Sequence, residues 1–100
     1  MDAQLKKGFL EMLVLASLKV EPSYGYKIIQ DVSNVIDIKE STLYPILKRL
    51  EQQAFVKTYT EQHQSRLRKY YMITTLGRLE IEKARKDYQE IEAIYRYILR

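Results

Sequence analysis

Pro45 constrains the fold of this chain more than any other residue, because it limits where a helix through residues 40–51 begins. Proline lacks a backbone N–H and has a fixed φ angle, so it suits the first turn of a helix and disrupts later turns. The sequence therefore predicts a helix start at Ser41 or Thr42, both good N-caps. The apolar residues that follow recur at i, i+3, i+4 and i+7 and predict one buried face: Leu43, Ile46, Leu47 and Leu50.

The opposite face of this helix carries a hydroxyl, an aromatic hydroxyl and two cations: Thr42, Tyr44, Pro45, Lys48 and Arg49. Side chains of this kind on an exposed helix suit the groove of a DNA duplex. The alternative interpretation is an ordinary amphipathic surface helix. The surrounding sequence favours the first interpretation.

Positive charge is concentrated around the same helix. The chain has a net charge of +4, and residues 39–71 alone hold seven Lys and Arg against three Glu. A local basic patch indicates a phosphate-bearing partner, although a solubilising face has the same composition. With 100 residues, the chain is expected to form one compact body with a modest core.

Several classes of function are excluded by residue content. The chain has no cysteine and a single histidine, His63, so we expect neither disulfides nor a metal site, and no cofactor. No apolar run approaches the roughly 18–20 residues of a membrane span, and no secretory signal is visible. A cytoplasmic protein without membrane contact is predicted.

Two helices are predicted before the Pro45 helix. The first, residues 4–19, is apolar on two sides, which suggests that a partner chain covers one of them. The second, residues 24–35, is expected to begin after an N-cap at Ser23 and to bury Tyr26, Ile29, Val32 and Ser33, with Ile28 and Val35 adjoining. Tyr24 would lie in its first turn, near a DNA phosphate. Together with the Pro45 helix, this is a helix-turn-helix pattern.

A β-hairpin is predicted after the helices. Residues 55–60 and 68–73 alternate as strands do, and the polar stretch 61–67 is interpreted as a mobile tip. A hairpin that follows a helix-turn-helix is a wing. Its cations, Arg66, Arg68 and Lys69, would reach the DNA backbone or the minor groove beside the Pro45 helix.

A long final helix, residues 76–99 with a cap at Thr74 or Thr75, is predicted at the C-terminus. At about 1.5 Å per residue it exceeds what a small body can cover. Its apolar stripe nevertheless continues to the end, which predicts a two-fold homodimer on a near-palindromic duplex. The predicted dimer interface comes from both terminal helices: Phe9, Met12, Leu13, Ala84, Tyr88, Ile91, Tyr95 and Ile98.

Three sequence blocks resemble the PadR family of bacterial transcriptional regulators. They are residues 23–28 (SYGYKI), 40–51 (ESTLYPILKRLE), and 68–74 (RKYYMIT) with Gly77 and Arg78, in the order and at the spacing of the family. The resemblance implies a mainly α (α+β) fold, a winged helix-turn-helix with a two-stranded β wing and a long C-terminal dimerisation helix. It divides the chain into a DNA-binding domain, residues 1–74, and a dimerisation helix, residues 75–100. It also implies repression of detoxification or efflux genes that a small molecule relieves.

The single C-terminal helix resembles the short form of the family, which includes a lactococcal multidrug-responsive repressor. That resemblance implies a small aromatic or cationic inducer bound at the dimer centre. The positions that match its binding site are Leu5, Gly8, Glu11, Met12, Tyr88 and Glu92, with Tyr88 where the relative has tryptophan. The predicted DNA-binding residues are Tyr24, Lys39, Ser41, Thr42, Tyr44, Pro45, Lys48, Arg49, Arg66, Arg68 and Lys69.

Three positions depart from the family pattern. Family members commonly have glycine where this chain has Ser41, Ala54 and Ser65. Ser41 still suits a helix start, so DNA docking is expected to persist. Ala54 and Ser65 predict a different exit from the Pro45 helix and a differently shaped wing tip.

The leading hypothesis is a dimeric DNA-binding repressor. The alternative is a winged-helix module or adaptor that binds proteins and lacks specific DNA binding, which the basic patch at residues 39–71 disfavours. An enzyme is not expected, because the chain offers no nucleophile–base pair, paired carboxylates or glycine-rich phosphate loop.

Overall fold

The computed structural model describes residues 1–100 as four helices and one antiparallel hairpin. The order along the chain is α1 (Ala3–Ala16), α2 (Gly25–Ser33), α3 (Glu40–Gln52), β1 (Val56–His63), β2 (Arg66–Ile73) and α4 (Thr75–Ile98). Three helices followed by a two-stranded wing and a long helix form the predicted winged helix-turn-helix.

One core lies between α1, α2, α3 and the base of the hairpin. Its buried residues are Leu10, Val14, Leu15, Leu18, Ile28, Val32, Ile38, Leu43, Ile46, Leu47, Leu50, Val56, Tyr71 and Ile73. The whole predicted apolar face of α3 is among them, so that prediction is confirmed. Burying one such side chain stabilises the fold by about 1.5–3 kcal/mol, which makes α3 a firmly fixed element.

The first helix, α1, is apolar on two sides, as predicted, and its own chain covers only one of them. Leu10, Val14 and Leu15 are buried, whereas Phe9 and Met12 on the other side are half-buried. The helix begins at Ala3 because the Asp2 side chain accepts hydrogen bonds from the N–H groups of Gln4 and Leu5. It ends at Ala16, earlier than the predicted Lys19.

Ser23 is part of the sheet and does not cap α2, so the predicted N-cap is wrong. Its N–H donates to the Tyr71 carbonyl at 3.0 Å, and the Tyr71 N–H donates to the Ser23 carbonyl at 2.7 Å. This bridge moves the start of α2 to Gly25, with Tyr24 as the N-cap residue. The buried face also differs from the predicted one: Ile28 and Val32 are buried, whereas Tyr26, Ser33 and Val35 are exposed.

The third helix begins at Glu40, so the predicted start at Ser41 or Thr42 is wrong, and Pro45 lies beyond the first turn. The Lys39 carbonyl accepts the N–H groups of Thr42 and Leu43 and closes an earlier turn. Proline at position 45 removes only the hydrogen bond to the carbonyl of Ser41. Ser41 is exposed.

The wing is longer and tighter than predicted. Its strands pair from Val56 opposite Ile73 to His63 opposite Arg66, which leaves Gln64 and Ser65 as the whole loop. Both loop residues have positive φ angles, 49° and 68°, as a type I′ hairpin turn requires. The predicted mobile tip at residues 61–67 is therefore an ordered two-residue turn.

The exit from α3 keeps the glycine-type backbone, so the prediction of a different exit is wrong. Ala54 has a φ angle of 62°. The N–H of Phe55 donates to the Leu50 carbonyl, and the N–H of Ala54 donates to the Glu51 carbonyl. These two bonds form a Schellman motif with Ala54 in the left-handed position that glycine usually takes.

The start of α4 is hydrogen-bonded to Ala54, the residue at which the chain leaves α3. The Thr74 hydroxyl donates to the Ala54 carbonyl at 2.7 Å, and the Gly77 N–H donates to the Thr74 oxygen at 3.0 Å. Thr74 is therefore the cap of α4, as one of the two predicted alternatives held. Gly77 is required here because a Cβ atom would collide with the Phe55 carbonyl oxygen.

Beyond its base, α4 projects from the body of the protein. The 24 residues of α4 span about 36 Å. The chain measures 55 × 26 × 21 Å, with a radius of gyration of 15.0 Å, above the roughly 13 Å expected for a compact 100-residue domain. Gly77 is the only buried residue in α4. None of the four helices combines the length and the apolar character that a membrane-spanning helix needs.

Candidate nucleic-acid interface

A cleft of about 800 Å³ lies between the start of α2, α3 and the wing. Its lining is aromatic and basic: Tyr24, Gly25, Tyr26, Tyr44, His63, Gln64, Arg66, Leu67, Arg68, Lys69 and Tyr71. Five predicted DNA-binding residues are brought together in this one cleft, although they come from three separate sequence blocks: Tyr24, Tyr44, Arg66, Arg68 and Lys69.

Tyr44 reaches the cleft from α3 and packs against the first residue of α2. A Cβ atom at Gly25 would collide with the Tyr44 hydroxyl, so the SYG sequence leaves room for this contact. Tyr44 remains 47% exposed, which keeps its ring available to a ligand. Burial raises the pKa of the neighbouring Tyr71 phenol, and Tyr44 and Glu51 raise it further. Tyr71 is therefore a neutral hydroxyl at neutral pH.

A series of aromatic contacts positions Arg68 at the edge of the cleft. Its guanidinium lies 4.0 Å from the centre of the Tyr24 ring. Tyr24 meets Tyr70 edge to face at 5.6 Å, and Tyr70 stacks on Tyr59 at 5.3 Å. Cation–π contact fixes the guanidinium without neutralising its charge, so its N–H groups stay available to an anion.

Six residues of the cleft are absent from the predicted set: Gly25, Tyr26, His63, Gln64, Leu67 and Tyr71. Tyr26 was expected in the buried stripe of α2, but it is exposed. His63, Gln64 and Leu67 were expected in a mobile tip. Prediction of a two-residue turn at positions 64–65 would place His63 opposite Arg66.

A second groove, the α1–α3 groove, flanks the other side of α3. It has a volume of about 310 Å³ and is lined by Ala3, Lys7, Leu10, Ser41, Thr42, Pro45, Ile46 and Arg49. Four more predicted DNA-binding residues lie here: Ser41, Thr42, Pro45 and Arg49. The exposed face of α3 is thus bordered by the wing cleft on one side and by α1 on the other.

The predicted cations differ in their electrostatic surroundings. The Arg49 Nε donates to Glu11 Oε1 at 2.6 Å, in the only ion pair of the protein that joins two elements. The other five predicted cations have no carboxylate partner: Lys39, Lys48, Arg66, Arg68 and Lys69. Lys39, the residue before α3, and Lys48, within α3, are exposed and line neither groove. The surface therefore carries uncompensated positive charge.

An apolar groove of about 250 Å³ lies between α1 and α4, away from the basic surface. Its lining is Phe9, Met12, Leu13, Ala16, Ile81 and Tyr88, with the Phe9 and Tyr88 rings 5.8 Å apart. Burial raises the pKa of the Tyr88 phenol, and Asp87 adds to the rise. Of the predicted interface residues, Ala84 and Ile91 are half-buried nearby, and Tyr95 and Ile98 are exposed further along α4.

The structure brings together only part of the predicted ligand set. Met12 and Tyr88 share the apolar groove, and Glu92 lies beside Tyr88 and pairs with Arg96. Leu5 and Gly8 are exposed outside it. Glu11 turns toward α3 and Arg49 instead. No group of three or more His, Cys, Asp or Glu side chains is placed to hold a metal ion.

Sequence comparison identifies relatives over most of the chain. Residues 14–83 match the profile of the transcriptional regulator PadR-like family. An uncharacterized protein of Lysinibacillus sphaericus is 33% identical over 93 residues, covering 88% of this chain and 85% of that protein. The matched family consists of transcriptional regulators and not of enzymes.

Solved structures share the fold over most of the chain. A protein of Streptococcus mutans is 41% identical with a TM-score of 0.81, covering 90% of this chain and 85% of its own. A PadR family regulator of Eggerthella lenta is 32% identical with a TM-score of 0.84, covering 96% and 86%. A PadR family transcription regulator of Clostridium difficile is 28% identical with a TM-score of 0.83, covering 92% and 99%.

Proposed function

The chain belongs to the PadR-like family of transcriptional regulators, and from that premise we propose that it is a dimeric, sequence-specific DNA-binding repressor. Regulators of this family are generally DNA-binding repressors. DNA binding is assigned to the unit formed by residues 1–74, and the remaining helix provides dimerisation.

The observation that carries this proposal is the arrangement around α3. The exposed residues of α3 lie between the basic, aromatic cleft and the α1–α3 groove. Of the six cations predicted to bind DNA, all except Arg49 lack a carboxylate partner. An α-helix fits the major groove of B-DNA, which is about 12 Å wide, and cations at its sides meet the phosphates of the groove edges. Thr42, Tyr44 and Lys48 would approach base edges or phosphates, while Tyr24, Arg66, Arg68 and Lys69 would contact the backbone.

The uncovered apolar sides of α1 and α4 support the dimer. Ile94, Tyr95 and Ile98 are exposed along a helix that extends beyond the core, and single chains rarely expose so continuous an apolar surface. A second copy would cover both helices and place two α3 helices on a near-palindromic operator, about one DNA turn apart.

Relief of repression by a small molecule is a further part of the proposal. The groove between Phe9 and Tyr88 would form half of a cavity at the dimer centre, suited to an aromatic or cationic inducer. The regulated genes would be those of detoxification or efflux, and the protein would act in the cytoplasm. A thermal-shift screen of planar aromatics and cationic dyes tests this, because a ligand that prefers the folded dimer raises its Tm.

A titration by fluorescence anisotropy tests DNA binding directly. The purified protein is titrated into labelled duplex from upstream of its own gene and into a shuffled duplex of equal length, at several salt concentrations. Tighter binding to the upstream duplex is expected, with affinity that falls as salt rises. Equal affinity for both duplexes would contradict sequence-specific binding. Salt-insensitive, weak binding would favour a protein-interaction module.

A further inference from the structure

Lys7 lines the α1–α3 groove although it is far in sequence from the basic segment, residues 39–71. Across the groove from it are Ser41, Thr42 and Pro45, at the exposed start of α3. Lys7 itself is exposed. Folding therefore adds a lysine to the surface around α3 from a segment, residues 1–38, whose own net charge is −1.

The charge of Lys7 is not neutralised within the protein. Its helical neighbour at i+4 is Glu11, the position at which a lysine commonly finds a partner. Glu11 instead pairs with Arg49 at 2.6 Å, and no carboxylate pairs with Lys7. The other nearby acid, Asp2, accepts the N–H groups of Gln4 and Leu5 as the cap of α1. Of the two cations that line the α1–α3 groove, Lys7 is the unpaired one.

We propose that Lys7 is a further DNA-contacting residue, which binds a backbone phosphate of the strand lying over the α1–α3 groove. The proposal rests on the proposed function, since it requires α3 to enter the major groove. The two phosphate backbones that border a major groove lie on opposite sides of an inserted helix. One faces the wing cleft with Arg66 and Arg68, and the other faces the groove where Lys7 holds the free charge.

Replacement of Lys7 by glutamine removes the charge and keeps most of the side chain. Lys19 provides a matched control, because it is exposed beyond the opposite end of α1. The full-length K7Q, K19Q and K7R proteins are titrated with the upstream and shuffled duplexes over a series of salt concentrations. Circular dichroism confirms that each variant is folded.

The K7Q substitution is expected to lower affinity for both duplexes by roughly five- to tenfold per bound protomer near 0.1 M salt, because a phosphate contact carries no sequence information. The slope of log K against log salt is expected to fall by about one per protomer. K7R and K19Q are expected to match the wild type.

Three results would overturn the inference. If K7Q shows the wild-type slope while the wild-type protein binds specifically, Lys7 makes no phosphate contact and the proposed function stands. If K19Q lowers the slope as much as K7Q, the effect is one of net charge and no local contact exists. If the wild-type protein binds neither duplex, the proposed function fails first, and this inference fails with it.

Discussion

Arg49 and Glu11, which are 38 residues apart in the sequence, form an ion pair with 2.6 Å between Nε and Oε1. The pair joins the exposed face of α3 to α1, the helix that also contributes to the apolar groove. The sequence predicts Arg49 at the DNA and Glu11 at a ligand. In the structure the two side chains pair with each other, so Glu11 compensates the charge of Arg49 in the DNA-free protein.

Glu11→Gln is expected to release Arg49 and to raise affinity for shuffled duplex DNA severalfold, since it removes an acid and frees a cation beside the phosphates. The side chains of Arg49 and Glu11 are 48% and 40% exposed, so the free energy of unfolding should change by less than about 1 kcal/mol. Anisotropy titrations and urea denaturation measure the two effects. Glu82→Gln, which breaks an exposed pair on α4, is the control. Unchanged affinity would show that Arg49 lies too far from the DNA.

Tyr44→Ala is expected to weaken binding to the upstream duplex by about 1–3 kcal/mol, the range for one readout contact. Its ring borders the wing cleft, and its hydroxyl contacts Gly25, so the substitution also opens the contact between α2 and α3. Competition titrations with wild-type and shuffled duplexes separate specific from general binding. Tyr97→Ala, at an exposed tyrosine near the end of α4, is the control. An unaltered preference for the upstream duplex would remove Tyr44 from the interface.

Ala54→Gly is expected to stabilise the protein by about 1 kcal/mol, because Ala54 has a φ angle of 62° and a Cβ atom is strained there. Urea denaturation at a fixed protein concentration measures the change in unfolding free energy. Ala93→Gly, within α4, is the control and should destabilise the protein by about 1 kcal/mol. Opposite signs at the two positions would show that the effect of glycine depends on the backbone angle. A loss of stability in Ala54→Gly would argue against a left-handed exit from α3.

Two glycines should respond oppositely to alanine. A Cβ at Gly77 would collide with the Phe55 carbonyl oxygen, so Gly77→Ala should destabilise by about 1–3 kcal/mol. A Cβ at Gly8 meets nothing within 4 Å, so Gly8→Ala should stabilise by about 1 kcal/mol through helix propensity. Denaturation curves at several protein concentrations test both. A loss at Gly8 that depends on concentration would mean that a partner chain packs against it.

Ile98→Glu is expected to weaken the dimer, since Ile98 is 65% exposed in the single chain and would be covered only by a second copy. Because Ile98 lies outside the core of its own chain, the fold of each protomer should be unaffected. Sedimentation velocity measures the oligomeric state. Ala93→Glu adds the same charge on another face of α4 and should leave the dimer intact. A wild-type protein that sediments as a monomer would refute the predicted interface altogether.

Local patterns in the sequence were sufficient for the elements and for the buried side of α3. Helical spacing identified Leu43, Ile46, Leu47 and Leu50 as buried. Alternation placed Tyr71 and Ile73 on one face of the wing, and the structure buries both. Sequence patterns fail to predict the start of a helix where a long-range hydrogen bond competes with a local one. Ser23 has the chemistry of an N-cap, yet its backbone pairs with Tyr71, and its buried hydroxyl has no partner.

The helices and strands, the two apolar sides of α1 and the concentration of positive charge around α3 are predictable from the sequence alone, because they follow from spacing and residue type within short segments. Which distant residues meet depends on the folded chain. Folding places Tyr44 against Gly25, pairs Arg49 with Glu11 and brings Lys7 to the groove that Thr42 also lines. These neighbours depend on how whole helices pack, and packing is set by the summed fit of the core, which no short segment encodes.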